Sequence, residues 1–178
     1  SAVVPPQAPG GNAPSSTVID DFEAGADSWV SNSDSSTPTS AACGLGQGTG
    51  RSGNSLQLDF NIAVNSWGIC AHEYGSRQDW SGSNGLSFFY TVGQPGILFD
   101  VDLYAGSVDA VETYIYTVEA PAEAASGWIP VELRWEDFHR ASWEADADAP
   151  FSKPNEVLGL AFGMNTPQDA PNAARVSG

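Results

Sequence analysis

The segment SLQLDFNI, residues 55–62, alternates without a break: Leu56, Leu58, Phe60 and Ile62 fall on one side of an extended chain, and Gln57, Asp59 and Asn61 on the other. Such a period of two fits a half-buried β-strand and no helix. ILFDVDLYA (97–105) repeats the pattern, with Ile97, Phe99, Val101 and Leu103 inward and Leu98, Asp100, Asp102 and Tyr104 on the opposite face. WGICAHEY, GLSFFYTV, VETYIYTV, WIPVELRW and EVLGLAFGM read as further strands, and no stretch has a helical period. Short strands punctuated by 19 glycines and 12 prolines predict an all-β sandwich.

At 178 residues, 41% of them hydrophobic, the chain suits one domain with a real core. The opening SAVVPPQAPGGNAPSST has neither period and reads as a linker over 1–17, with the sandwich occupying 18–178. No apolar run is long enough to span a membrane and no leader pattern opens the chain, so it reads as a soluble mature fragment.

Twenty-two acidic residues face only Lys153 and five arginines, for a formal charge of −16. That field repels phosphate backbones and anionic lipids, which argues against nucleic-acid and membrane partners and leaves neutral ligands and divalent cations. Cys43 and Cys70 have no zinc-ligand spacing. Two readings stay open for them: one disulfide in an oxidising compartment, or two buried free thiols.

Catalytic patterns are scarce. Asp100 and Asp102 share a strand face about 7 Å apart by strand rise, a conceivable carboxylate pair. Such acids also accept hydrogen bonds from sugar hydroxyls. The only histidines, His72 and His139, lie in no H-E-x-x-H, and no G-x-S-x-G occurs. Glycine-rich GLGQGTGRSGN (44–54) lacks the phosphate-loop lysine and reads as a loop. The expectation is a protein that is not an enzyme. Six tryptophans and five tyrosines are the better clue, because flat rings stack on the apolar faces of pyranoses. Trp29, Trp80 and Trp128 sit at strand edges in structural positions, whereas Trp67 and Trp143 are the stacking candidates. In EVLGLAFGM, Gly159, Ala161 and Gly163 leave one face nearly bare: the floor of a groove, or a seat for another sheet.

The order DDFE…W (20–29), GNSLQLDF (53–60), SWG (66–68), DWSGSNGLSFFY (79–90), GW-x-PVEL (127–133), EDFHR (136–140) and NEVLGLAF (155–162) resembles the family-eleven carbohydrate-binding modules. The related domain of complex I intermediate-associated protein 30 shares much of it. The resemblance implies a β-sandwich jelly roll of the galactose-binding-domain-like kind, appended to a glycoside hydrolase. It also implies a concave face for a β-glucan chain and a structural Ca²⁺. Carried onto this chain, the calcium ligands are Asp21 and Glu23, Asn54, and the carbonyl of Arg51; period-two alternation puts Asp21 and Glu23 on one face of the first strand. The tyrosines of the family's cleft correspond to Asn32, Ser66 and Met164, while Trp143 stands for another, with Arg140 as a nearby hydrogen-bonding cation. Family members end on a strand with an Asp-Asn or Asp-Asp pair, whereas this chain ends AARVSG, so the last strand is expected to be missing or truncated.

The reading is a binding module of a secreted or cell-surface bacterial protein, covalently linked to a catalytic domain and recognising a neutral β-glucan. Asp100, Asp102, Tyr104, Arg140 and Trp143 line its face, with His139 and Trp67 beside them. The alternative is a structural accessory domain with little ligand binding of its own.

Overall fold

A computed structural model of the protein describes residues 17–166 and the backbone of 175–177. Apart from Thr17, the expected linker lies outside the described residues. Eleven strands are described: β1 (Trp29–Ser33), β2 (Ser40–Gly46), β3 (Ser55–Asn61), β4 (Trp67–Gln78), β5 (Gly85–Tyr90), β6 (Leu98–Ser107), β7 (Ala110–Glu119), β8 (Ile129–Arg134), β9 (His139–Arg140), β10 (Val157–Asn165) and β11 (Arg175–Ser177). The seven runs quoted from SLQLDFNI to EVLGLAFGM each contain a strand. β1, β2, β9 and β11 come from stretches outside these runs.

Six strands form one antiparallel sheet in the order β1-β4-β10-β6-β7-β9. Against its inner face pack two smaller sheets, β11-β3-β2 and β5-β8. The layers meet through Phe88 of β5 against Phe162 of β10 at 5.2 Å and Tyr90 of β5 against Phe99 of β6 at 5.1 Å. Phe60, Val101, Leu103, Phe138 and Val157 are fully enclosed between them. This is the expected jelly-roll sandwich, and burying these side chains at roughly 1.5–3 kcal/mol each is its main stabilisation.

The two cysteines are joined. Cys43 of β2 and Cys70 of β4, 27 residues apart, form a disulfide that ties one layer to the other.

Two expectations differ. Gly44, Leu45 and Gly46 are not loop but the end of β2, because Leu45 pairs with Leu56 and packs against the core; the loop starts at Gln47. Asp20 to Ser28 is a succession of turns, not a first strand. Asp20 Oδ1 accepts the amide of Phe22 at 2.8 Å and Asp21 Oδ1 that of Glu23 at 3.1 Å, so these carboxylates divert the backbone from a ladder. Phe22 adopts φ +61°, breaking the alternation. Asp20 also takes the indole N–H of Trp29 at 2.9 Å, which seats that ring in the core.

At the other end, Arg175–Ser177 pairs antiparallel with Gln57–Asp59 of β3. Arg175–Ser177 therefore supplies a strand beside β3.

Candidate functional site

The outer face of the six-stranded sheet can be read in rows across the strands. One row runs Val30 (β1), Ala71 (β4), Ala161 (β10), Asp102 (β6), Ile115 (β7), His139 (β9). The next runs Asn32, Ile69, Gly163, Asp100 and Thr117, and on the other side lie Glu73, Gly159, Tyr104 and Thr113. Strand parity alone puts Asp100, Asp102 and Tyr104 here, as their alternation with the inward residues of β6 required.

The middle of this face is a recess. Ala161 is fully buried, Ala71 and Asp102 are each 7% exposed, and Gly159 and Gly163 are buried. A Cβ at Gly159 would stand 2.6 Å from the carbonyl oxygen of His72, and one at Gly163 2.9 Å from the side chain of Ile69, so glycine is needed for the strands to lie this close. Beside the recess is an open depression of about 380 Å³, lined by Leu98, Asp100, Ile115, Thr117, His139 and Trp143 among others. The border is apolar and exposed: Trp143 at 65%, Leu98 at 57%, Trp67 at 39%. The two stacking candidates thus do stand at this face, Trp67 on β4 and Trp143 just beyond β9.

The two aspartates differ in their partners. Asp100 accepts the hydroxyl of Thr117 at 2.6 Å and the amide of Asn165 at 2.7 Å. Burial pushes its carboxyl up, and those two bonds pull it partly back. Asp102 has an Oδ1 that is buried and without a hydrogen-bond partner among the described residues. Burial, with the negative charge of Asp100 beside it, pushes Asp102 up to about 8. At neutral pH it is therefore largely a neutral acid, able to donate one hydrogen bond and accept others. Burial also raises the phenol of Tyr104, helped by Asp102 and Glu73.

Arg140 lines the same depression, but its charged head is engaged away from it. It pairs with Tyr114, an inward residue of β7, and its guanidinium lies on that side. There it meets Glu112 at 3.0 Å, Glu144 at 2.6 Å and the hydroxyl of Tyr114 at 3.4 Å. A two-residue edge strand takes its parity from its partner, so the neighbour His139 faces outward and Arg140 does not. His139 is exposed on the outer face, with Nδ1 3.1 Å from the carbonyl of Asp137.

Of the three positions where the resemblance expects tyrosines, only Asn32 is exposed on this face. Met164 packs into the core. Ser66 is buried in a hydroxyl cluster, 2.7 Å from both Thr37 Oγ1 and Thr39 Oγ1.

The expected calcium ligands lie apart from this face, at the turn before β1. Asn54 donates its backbone amide to Glu23 Oε1 at 2.8 Å and its side-chain amide to the carbonyl of Phe22 at 3.5 Å. Asp21 is on the same turn. The guanidinium of Arg51 sits 4.0 Å over the ring of Phe89. No group of three or more His, Cys, Asp or Glu able to hold a metal gathers among the described residues. Asp21, Glu23, Arg51 and Asn54 line one pocket, where Asn54 Oδ1 accepts the amide of Gly48 at 3.0 Å; carboxylate, amide and carbonyl oxygens are the donor type that Ca²⁺ prefers.

A family model described as Carbohydrate binding domain (family 11) matches residues 4–166. Among solved structures, the chain is similar to the family 11 carbohydrate-binding module of a cellulosomal cellulase of Clostridium thermocellum: TM-score 0.71, 16% identity, covering 93% of this chain and 91% of that one. A family 11 module from the same organism, in complex with a β-1,3-1,4-mixed-linked tetrasaccharide, matches with TM-score 0.70 and 16% identity over 89% of this chain and 88% of that one. A family 30 module of another cellulosomal cellulase of Clostridium thermocellum follows at TM-score 0.53 and 16% identity, over 94% and 83% of the two chains. At these identities the structures speak for the shared fold alone. No curated protein matches the chain.

Proposed function

The chain belongs to family 11 of the carbohydrate-binding domains, and from that membership we propose that the outer face of its six-stranded sheet holds a neutral β-glucan chain of mixed-linkage or cellulose type. The observation that carries this reading is the recess itself: a floor of Gly159, Ala161 and Gly163 bordered by the exposed rings of Trp67 and Trp143. A floor without side chains lets a flat sugar chain approach the sheet, and the rings offer stacking at its edges. Asp100, Asp102 and Tyr104 supply acceptors and donors for hydroxyls, and a buried carboxyl with a free oxygen gains from any partner that reaches it. The formal charge of −16 disfavours anionic polymers. The mixed-linked tetrasaccharide held by the related module from Clostridium thermocellum is the natural first ligand to try.

In this reading the domain is a secreted or cell-surface bacterial module that directs a covalently attached glycoside hydrolase to its polysaccharide. A structural Ca²⁺ would be held by Glu23, Asp21, Asn54 and nearby carbonyls, fastening the turn before β1 to the loop before β3.

Affinity electrophoresis through gels containing barley glucan, hydroxyethylcellulose or laminarin tests the binding. Retardation in at least one is expected, and unchanged mobility in all three would defeat the glucan assignment. The second reading, an accessory domain that packs on its catalytic neighbour, is favoured by the inward Met164 and buried Ser66, which leave two expected tyrosine positions off the face. Trp143→Ala separates the two. It sharply weakens retardation if the face binds sugar, and changes only assembly or stability if the face is an inter-domain seat.

A further inference from the structure

Trp143 is the most exposed large ring at the recess, and little packs against it. What fixes it is the turn that carries it. The amide of Glu144 bonds to the carbonyl of Ala141 at 3.1 Å, closing a turn with Trp143 at its third position. That turn is fastened to a single residue of β7. Ala141 donates its amide to the carbonyl of Thr113 at 2.9 Å, and the amide of Thr113 donates to both carboxylate oxygens of Glu144 at 3.1 Å. β9 is only two residues long, so where its ladder ends the Glu144 side chain takes the place of the next strand's carbonyl.

The Glu144 carboxylate is in turn aimed by Arg140, whose Nε lies 2.6 Å from Oε2. Arg140 reaches past it to Glu112 at 3.0 Å, and Glu112 holds Lys153 at 2.8 Å. The side chains of Arg140, Glu144 and Glu112 are only 15%, 17% and 21% exposed, so the pairs are shielded far more than ordinary surface ion pairs.

We propose that Arg140 and Glu144 are positioning residues: their ion pair clamps the turn Ala141–Glu144 onto Thr113 and so fixes Trp143 at the recess, while the Arg140 guanidinium makes no contact with ligand. A ring held in place beforehand loses less freedom on binding than one on a loose loop, so the clamp raises affinity without touching sugar. Lysine at 140 would not reproduce it, since a point charge cannot fork between Glu112 and Glu144. The positioning role for sugar rests on the glucan reading above; the clamp itself does not.

The test is a double-mutant cycle with a spectroscopic arm. Arg140→Met, Glu144→Gln, Trp143→Ala and the double variant Arg140→Met/Trp143→Ala are compared for retardation in glucan gels. Protein labelled with 5-fluorotryptophan gives a ¹⁹F line for Trp143, assigned by its loss in Trp143→Ala. Arg140→Met and Glu144→Gln are each expected to weaken binding about tenfold, the double variant to bind no worse than Trp143→Ala alone, and the Trp143 line to move. Losses that add in the double variant would mean that Arg140 touches sugar itself, and would overturn the proposal. So would an unmoved line in both clamp variants. If the unaltered protein binds no glucan, the glucan reading fails, and the ¹⁹F line by itself decides whether the clamp holds Trp143.

Discussion

Asp100 and Asp102 stand two residues apart on the same face of β6, yet Asp100 is satisfied by Thr117 and Asn165 while Asp102 keeps a buried oxygen without a partner among the described residues. That asymmetry decides which of the two carries a proton. Asp102, raised to about 8, is protonated in the folded protein where the unfolded chain, at an ordinary carboxylate value, is ionised. The unfolded state then binds fewer protons, so this residue's contribution to stability falls as pH rises from about 4 to about 8, the reverse of a salt-bridged carboxylate.

Asp102→Asn removes the charge and keeps the shape. Near pH 4 the variant should melt close to the unaltered protein, and above about pH 8 it should melt higher, by upward of about 4 °C given roughly 2–4 °C per kcal/mol for a chain of this size. Melting curves of both proteins across that range check it. A difference that does not grow with pH would show that Asp102 is ionised throughout.

The disulfide gives a second expectation. Cys43 and Cys70 close a loop of 27 residues and join the two layers, and closure of such a loop is worth about 3.5 kcal/mol by chain entropy. Replacing both cysteines by alanine should lower unfolding free energy by about that amount in denaturant titration. A loss below about 1 kcal/mol would mean that the layers are held by packing alone.

A third expectation concerns the turn before β1. If Ca²⁺ joins Glu23, Asp21 and Asn54, EDTA should lower the melting temperature, since a cation bound a hundredfold above its dissociation constant adds about 2.7 kcal/mol. Glu23→Gln should erase the difference between EDTA and added Ca²⁺. Identical melting of the unaltered protein in both conditions would argue that the hydrogen bond from Asn54 to Glu23 suffices to join the turn and the loop.

What could be read from the sequence, and what could not, divides along one physical line. Period-two alternation located β3 and β6 and placed Asp100, Asp102 and Tyr104 on a common face, because side-chain direction in a strand follows from parity. Parity fails at short edges. Arg140 was legible as a cation near the face, but a two-residue strand inherits its orientation from β7, so the guanidinium turned inward to Glu112 and Glu144. β2, SAACGLG, was hidden because Leu45 is its one large inward residue and its glycines imitate a loop. The first strand expected to carry Asp21 and Glu23 did not form, since Asp20 and Asp21 captured the amides of Phe22 and Glu23. The clamp on Trp143 could not be found at all from spacing, because Glu144 acts through a backbone amide 31 residues away.

The two exposed tryptophans make the last prediction, which concerns ligand length. Trp67 is on β4 and Trp143 follows β9, so β10, β6 and β7 lie between them, and four strand spacings of about 4.8 Å put them roughly 19 Å apart across the sheet. Asp100 and Asp102 on β6 fall midway. A long glucan chain laid across the strands can reach both rings, whereas a short oligosaccharide centred on the aspartates and Trp143 cannot. Trp143→Ala should therefore weaken binding of both polymer and short oligosaccharide, and Trp67→Ala should weaken polymer binding about tenfold, near 1.4 kcal/mol, with little effect on a disaccharide. Calorimetric titration with a ladder of glucan oligosaccharides reads this directly. Equal losses for Trp67→Ala at every length would mean that ligand lies close to β4 and does not cross the sheet.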